Sequence, residues 1–366
     1  MIRSRSKWRR LAALAVVVAL VATLGAVLAA CGEEAQEGGG ASGTTIVGAG
    51  ASFPAPLYTK WGEEYAGLEG VKLNYQSIGS GGGIAAIQAG TVDFGASDAP
   101  LTQEELEQSG LVQFPMVMGG VVVVVNLKGV ASDRLRLDAP TLAGIYAGRI
   151  TSWDDPALRK LNPDVSLPKA KINVVHRSDG SGTTWIFTHY LTAAAGDVWT
   201  AGADKEIAWP VGVGGKGNEG VAASVQQLSG SIGYVEYAYA KQAGLTTVQL
   251  KNRDGRWVSP SLESFAAAAE GADWEASLPA MDLVLVDQPG ANAWPITGAS
   301  FILVRKEQDD AARAKTLLDF FNWCFENGAD AAAALDYVAV PESVYTLVRD
   351  QVWSQVTAAG EPVWQP

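Results

Sequence analysis

Cysteine and histidine are almost absent from this 366-residue chain, which holds two of each. His176 and His189 have no Cys or acidic partner at metal-ligand spacing, so neither a zinc site nor any other metal is expected. No phosphate-cradling G-x-x-x-x-G-K-[ST] loop occurs; Gly212 to Gly217 lacks the hydroxyl after Lys216. Gly48-Ala49-Gly50 lacks the third glycine of a dinucleotide fingerprint, and no cofactor is expected. Ser181 does not sit in a G-x-S-x-G elbow, and no Ser-His-Asp arrangement can be assembled with conviction. These absences argue against an enzyme. Positive charge is also scarce. The net charge is −12, and the first thirty residues carry five basic and no acidic side chains, which leaves the rest near −17. Such a surface excludes nucleic acid and anionic headgroups as partners. It also means that long-range attraction cannot capture an anion, so local donors and dipoles would have to hold one.

The basic residues that do occur early have a purpose. Arg3, Arg5, Lys7, Arg9 and Arg10 precede a run free of charge from Leu11 to Ala30, closed by Leu28-Ala29-Ala30-Cys31. This is the pattern of a signal peptide over residues 1–31, with Cys31 placed as in a bacterial lipobox, where the Cys takes a lipid and becomes the mature N-terminus. A retained membrane helix is the other reading of so long a run; the position of Cys31 favours the lipoprotein. Residues 32–43 are Gly, Glu, Gln, Ala and Ser, with nothing to bury, and read as a flexible tether. With Cys31 assigned to the anchor, Cys324 has no partner within the chain. Inside Phe320-Phe321-Asn322-Trp323-Cys324-Phe325 it reads as a small buried hydrophobe; a reactive thiol would need a basic neighbour that the sequence does not show.

The remaining body of about 320 residues exceeds what one core usually serves, so two domains are expected. Short β-branched runs alternate with helical patterns, as in a mainly parallel α/β architecture. Thr45-Ile46-Val47, Val71 to Tyr75 and Val92 to Ala96 read as strands, each ending in a loop of Gly, Ser or Asp. Helical spacing is expected over Leu57 to Tyr65 and from Ile84 to Gln88, after the loop Gly79 to Gly83. Gly119 to Leu127 and Phe301 to Val304 read as strands connecting two domains. The tail, Asp309 to Asn327 and Glu342 to Thr357, is helix-rich. The twelve Trp are scattered, which fits core packing better than sugar stacking.

A fourth such loop is His176-Arg177-Ser178-Asp179-Gly180-Ser181-Gly182-Thr183-Thr184, between the strand Ile172 to Val175 and a helix from Trp185 to Ala193. Two glycines let backbone N–H groups face a ligand, hydroxyls stand where a helix dipole favours negative charge, and Arg177 offers a planar fork of donors. A receptacle for a tetrahedral anion and a plain strand–turn–helix with an Arg177–Asp179 pair are both open from this segment alone. In open α/β sheets, loops at the carboxyl ends of strands converge on ligands.

Several segments, in order, resemble the periplasmic phosphate-binding protein family PstS, the receptors of ABC-type phosphate importers. They are Gly48 to Pro56, Tyr75 to Ser80, Val92 to Pro100, Arg177 to Thr183 and Ser231 to Tyr237, with Gly214 to Asn218, Trp294 to Thr297 and Leu335 to Tyr337 extending the match through the body. The resemblance implies a two-lobed periplasmic-binding-protein fold of type II, each lobe an open, mainly parallel sheet flanked by helices, hinged by crossover strands. Residues 44–122 plus 297–366 would form lobe I and residues 123–296 lobe II. It implies phosphate ligands at Ser52, Phe53 (through its backbone), Ser80, Asp98, Arg177, Ser181, Gly182 and Thr183, with Asp179 pairing with Arg177. Gly81 stands where a second serine can occur in the family. The implied partners are inorganic phosphate, a permease of two membrane subunits with an ATPase dimer, and the membrane through the lipid on Cys31. The implied state is a monomer in the periplasm or on the outer face of the cytoplasmic membrane. All the implied ligands donate except Asp98, which makes sense only for a ligand that brings its own proton, as phosphate does and sulfate does not. The alternatives are a receptor for another oxyanion and a phosphate-ester hydrolase; Asp98 as a helix cap before Pro100 is the structural alternative for that residue.

Overall fold

The computed structural model describes residues 44–365; the leader with Cys31 and the tether 32–43 lie outside the described residues. Strand β1 (Thr45–Gly50) leads into α1 (Ala55–Glu69), and β2 (Lys72–Ser77) into α2 (Ser80–Gln88). Next come β3 (Phe94–Ser97) and the long β4 (Leu111–Asn126). Beyond it, β5 (Asn173–Arg177) feeds α3 (Gly182–Ala195), and β6 (Val213–Gly215) feeds α4 (Gly217–Gln227). Strand β7 (Ser231–Glu236) passes directly into α5 (Tyr237–Gln242). The chain then returns through β8 (Thr297–Arg305) and α6 (Ala311–Asn327).

These strands form one sheet in the order β2-β1-β3-β8-β4-β7-β5-β6. Its two ends are parallel: β2, β1 and β3 on one side, β7, β5 and β6 on the other. The middle is antiparallel. Residues 111–120 of β4 pair with β8, and residues 121–126 pair with β7, so one strand belongs to both sides. The two parallel groups run in opposite directions, because three antiparallel pairings separate β3 from β7, and they sit at successive stretches of β4; the carboxyl ends of one group therefore face those of the other, and the loops after β1, β2, β3, β5 and β6 meet between them.

Three element boundaries differ from the sequence reading. Strand β4 begins eight residues before Gly119, the point where the sequence reading started it. Pro115 hides the extension, because a proline cannot donate to the ladder; the register shifts opposite it, between Ser300 and Phe301 of β8. Helix α2 starts at Ser80, so Gly81, Gly82 and Gly83 form its first turn and not a loop. A Cβ on Gly83 would lie 2.5 Å from the Gly50 Cα, so glycine is what lets the helix press onto β1. His176 and Arg177 belong to β5, which places the guanidinium on a rigid strand.

The core runs beneath both sides of the sheet. Phe94 is fully buried, its ring centroid 5.1 Å from that of Phe321, 5.9 Å from Tyr75 and 6.5 Å from Tyr58. Trp153, Trp199, Trp294 and Trp353 are all buried, and Trp364 packs against Trp353 at 4.8 Å. Cys324 is buried in α6, where loss of solvation pushes its thiol far above the ordinary range. Replacing Phe94 by Ala removes an aromatic ring from a close-packed cluster and should cost about 3–5 kcal/mol. A urea or guanidinium midpoint shift measures this; a loss below about 1 kcal/mol would mean that the cluster is not packed as described.

Candidate anion-binding site

The facing carboxyl ends of the two groups of strands bring together the residues that the resemblance implied as ligands. Ser52 and Phe53 follow β1, Ser80 opens α2, Asp98 follows β3, and Arg177 ends β5; Ser181 caps α3, with Gly182 and Thr183 in its first turn. All are buried.

Ser80 stitches three loops. Its Oγ accepts from the N–H groups of Asp98 at 3.1 Å and Gly182 at 3.0 Å. Gly182 must be glycine, because a Cβ there would come within 2.5 Å of both the Asp98 Cβ and the Ser80 Oγ. Arg177 holds Asp179 with both arms of its fork, Nε to Oδ1 at 2.8 Å and Nη2 to Oδ2 at 2.5 Å, and reaches the Thr183 Oγ1 through Nη1 at 3.2 Å. Burial pulls the Asp179 carboxyl upward, but Arg177 and the N–H of Gly217 outweigh it and hold the group below its ordinary range. Asp179 therefore orients the guanidinium and keeps its charge partly compensated in the interior.

The N-termini of α1, α2, α3 and α4 all open onto this cluster; in α1 and α2 no N-cap side chain closes the first turn, while in α4 Asp179 accepts the Gly217 N–H and Ser52 the Asn218 N–H. Their dipoles create positive potential in a body of strongly negative net charge. Only Asp98 stands against this. It is 1% exposed, and its Oδ1 is buried with no partner. Burial pushes its pKa up to about 7, against the opposing pull of Ser300 and of the Arg177 charge. A site built of hydroxyls, N–H groups and one guanidinium, with one carboxyl poised near neutrality, suits a small oxyanion that carries a proton.

Four residues that the sequence reading left without a role complete the cluster. Asn218, in α4, donates from Nδ2 to the Ser52 Oγ at 2.9 Å and to the Thr183 Oγ1 at 3.2 Å. Tyr239 donates to the Ser52 carbonyl at 2.7 Å. Tyr337 lies 2.7 Å from the Phe53 carbonyl and 2.9 Å from the Glu236 Oε2. Tyr337 has one proton for two acceptors, so it either shares that proton or accepts from Glu236 as the protonated acid. Burial favours the acid, pushing Glu236 up to about 8 against the N–H groups of Ala238 and Tyr237 and the Tyr337 hydroxyl. Asn218 and Glu236 lay within matched segments, but nothing in their spacing marks them; their partners are remote in sequence.

A profile of the PBP superfamily domain matches residues 35–327. Among curated proteins, phosphate-binding protein PstS of Xylella fastidiosa is 53% identical over 301 residues, 82% of this chain and 82% of its own length. The chain belongs to the PstS family. The PstS of Haemophilus influenzae is 51% identical over 313 residues, covering 85% of this chain and 93% of its own. Solved structures agree on the periplasmic-binding-protein fold. A high-affinity periplasmic phosphate-binding protein bound with phosphate superposes with a TM-score of 0.70 at 24% identity, over 84% of this chain and 93% of that one. A phosphate-binding protein from Stenotrophomonas maltophilia gives 0.66 at 23%, over 87% and 97%.

The two buried carboxyls give a signed pH effect. Between the ordinary carboxylate range and about pH 7 for Asp98, or about 8 for Glu236, the folded protein holds protons that the unfolded chain has released. Stability falls as pH rises wherever the folded state binds more protons. The ligand-free protein should therefore lose stability steadily from about pH 5 to about pH 8. Glu236→Gln should flatten that fall, as read from denaturation midpoints across the range. An unchanged slope would mean that Glu236 is not held as the acid.

Proposed function

We propose that this protein binds inorganic phosphate with high affinity outside the cytoplasmic membrane and hands it to an ABC-type permease of two membrane subunits and an ATPase dimer. The observation that carries the reading is Asp98: a buried carboxyl with an unpartnered oxygen, set among donors. A ligand proton would satisfy that oxygen; an anion without one would leave two acceptors facing each other at a cost of about 1–3 kcal/mol or more. Ser52, Phe53, Ser80, Asp98, Arg177, Ser181, Gly182 and Thr183 are the proposed ligands, with Asp179 orienting Arg177. The relatives that match over most of the chain bear the name phosphate-binding protein.

Binding without catalysis is the reading the hydroxyls support. The partners of the Ser80, Ser52 and Thr183 oxygens are N–H donors of the backbone, Asn218 and Arg177, and none is a base that would activate a nucleophile. We further propose that residues 44–122 with 297–366 and residues 123–296 act as two lobes that close over the ligand. Ser52, Ser80 and Asp98 would come from the first and Arg177 and Ser181 to Thr183 from the second, with β4 and β8 as the hinge. No helix of the described residues is long and apolar enough to cross a membrane. Attachment of a monomer through a lipidated Cys31 and the tether 32–43 completes the proposal.

Asp98→Asn tests the reading at about pH 8, above the value of about 7 at which Asp98 titrates. Phosphate should bind more weakly, because the charge-assisted bond from its hydroxyl is lost, and sulfate should bind better, because the amide can donate. The phosphate-to-sulfate affinity ratio should shrink at least about tenfold, or about 1.4 kcal/mol. Arg177→Ala should weaken both anions. An unchanged ratio in Asp98→Asn, read by titration calorimetry, would remove Asp98 as the proton reader.

A further inference from the structure

Each hydroxyl of the site has one proton and two lone pairs. Both lone pairs of the Ser52 Oγ are taken by Asn218, through its N–H at 3.1 Å and Nδ2 at 2.9 Å. Those of the Thr183 Oγ1 are taken by the Arg177 Nη1 and the Asn218 Nδ2, each at 3.2 Å. Those of the Ser80 Oγ go to the N–H groups of Asp98 and Gly182. A hydroxyl whose acceptor sites are filled can only donate. The orientation of the Asn218 amide is itself fixed, because its Oδ1 accepts the Glu236 N–H at 2.9 Å and so must face away from the hydroxyls. Asn218 is fully buried, and both protons of its Nδ2 are used.

We propose that Asn218 is a positioning and specificity residue that turns Ser52 and Thr183 into obligatory donors, so that neither can compete with Asp98 for a ligand proton. This rests on the phosphate reading and deepens it. If the two hydroxyls could turn and accept, a protonated ligand could be seated without Asp98, and discrimination by that carboxyl would leak. With Asn218 in place, neither of these two hydroxyls can take the ligand's proton.

The isosteric variant separates this role from simple packing. Asn218→Asp keeps the shape and the bond from the Glu236 N–H, but its second oxygen accepts, drawing the Ser52 and Thr183 protons away from the ligand. Asn218→Ala frees the hydroxyls without reversing them. Phosphate affinity is measured by calorimetry, and by phosphorus NMR line width where it is weak. Asn218→Ala should lose about tenfold and Asn218→Asp at least about tenfold more. In a Ser52→Ala, Thr183→Val background, with no hydroxyls left to orient, the gap between the Asp and Ala variants should close to within about threefold, corresponding to less than about 1 kcal/mol. Three results would overturn the proposal: wild-type affinity in Asn218→Ala, an Asn218→Asp no worse than Asn218→Ala, or a gap that persists in the hydroxyl-free background and so reflects charge repulsion alone. If Asn218→Asp does not fold, the first of these decides. Wild-type protein that binds no phosphate would instead defeat the underlying reading.

Discussion

Everything in this protein depends on holding an anion site inside a body whose own charge repels anions. Coulomb attraction at a distance is unfavourable, so binding must come from donors that are desolvated and already aimed before the ligand arrives. The N-termini of α1 and α2, which no N-cap side chain closes, and the Arg177 guanidinium supply them. In a buried setting each such donor acts in a low dielectric and is worth more than it would be in water. The same setting makes the single acceptor, Asp98, decisive: in water it would be hydrated and indifferent, but here it must be met by a proton. Selectivity and burial are one property.

The fold provides that burial through strand direction. Strands β1, β2 and β3 run one way and β5, β6 and β7 the opposite way, and β4 joins both groups in a single strand, so the carboxyl ends of the two groups face each other. Second contacts then fix each loop. Tyr239 and Tyr337 grip the carbonyls of Ser52 and Phe53, and Glu236, kept as the neutral acid, ties Tyr337 to the end of β7 without adding a charge near the site. An ionised Glu236 would oppose anion binding; burial disfavours that form by pushing its pKa up to about 8.

The sequence exposed the parts of this arrangement whose chemistry is local. Glycine, hydroxyl and Asp loops after β-branched runs mark turns at strand ends, and Arg177-Ser178-Asp179-Gly180-Ser181-Gly182 reads directly as a strand end followed by a capped helix. Glycines that serve close packing mislead, since Gly81 to Gly83 look like loop residues and are helical because β1 passes too near for a side chain. Pro115 hid the first half of β4, which a bulge accommodates. Asn218, Glu236 and Tyr337 stayed silent for a different reason. Their roles exist only once residues far apart in the chain meet, as Asn218 meets Ser52 across 166 positions. A lone Asn at a helix start carries no mark of its partner.

The most direct test of the central claim uses the unaltered protein and changes only the ligand's proton. Monofluorophosphate is a phosphorus oxyanion of phosphate-like size that, as its dianion, has no proton to offer. At about pH 8, with Asp98 ionised above its value of about 7, its affinity relative to phosphate and sulfate can be read by competition calorimetry. Fluorophosphate should bind at least about a hundredfold more weakly than phosphate, equivalent to about 2.7 kcal/mol, and close to sulfate. Binding within about tenfold of phosphate would show that the site recognises phosphorus or shape and does not read a proton at Asp98.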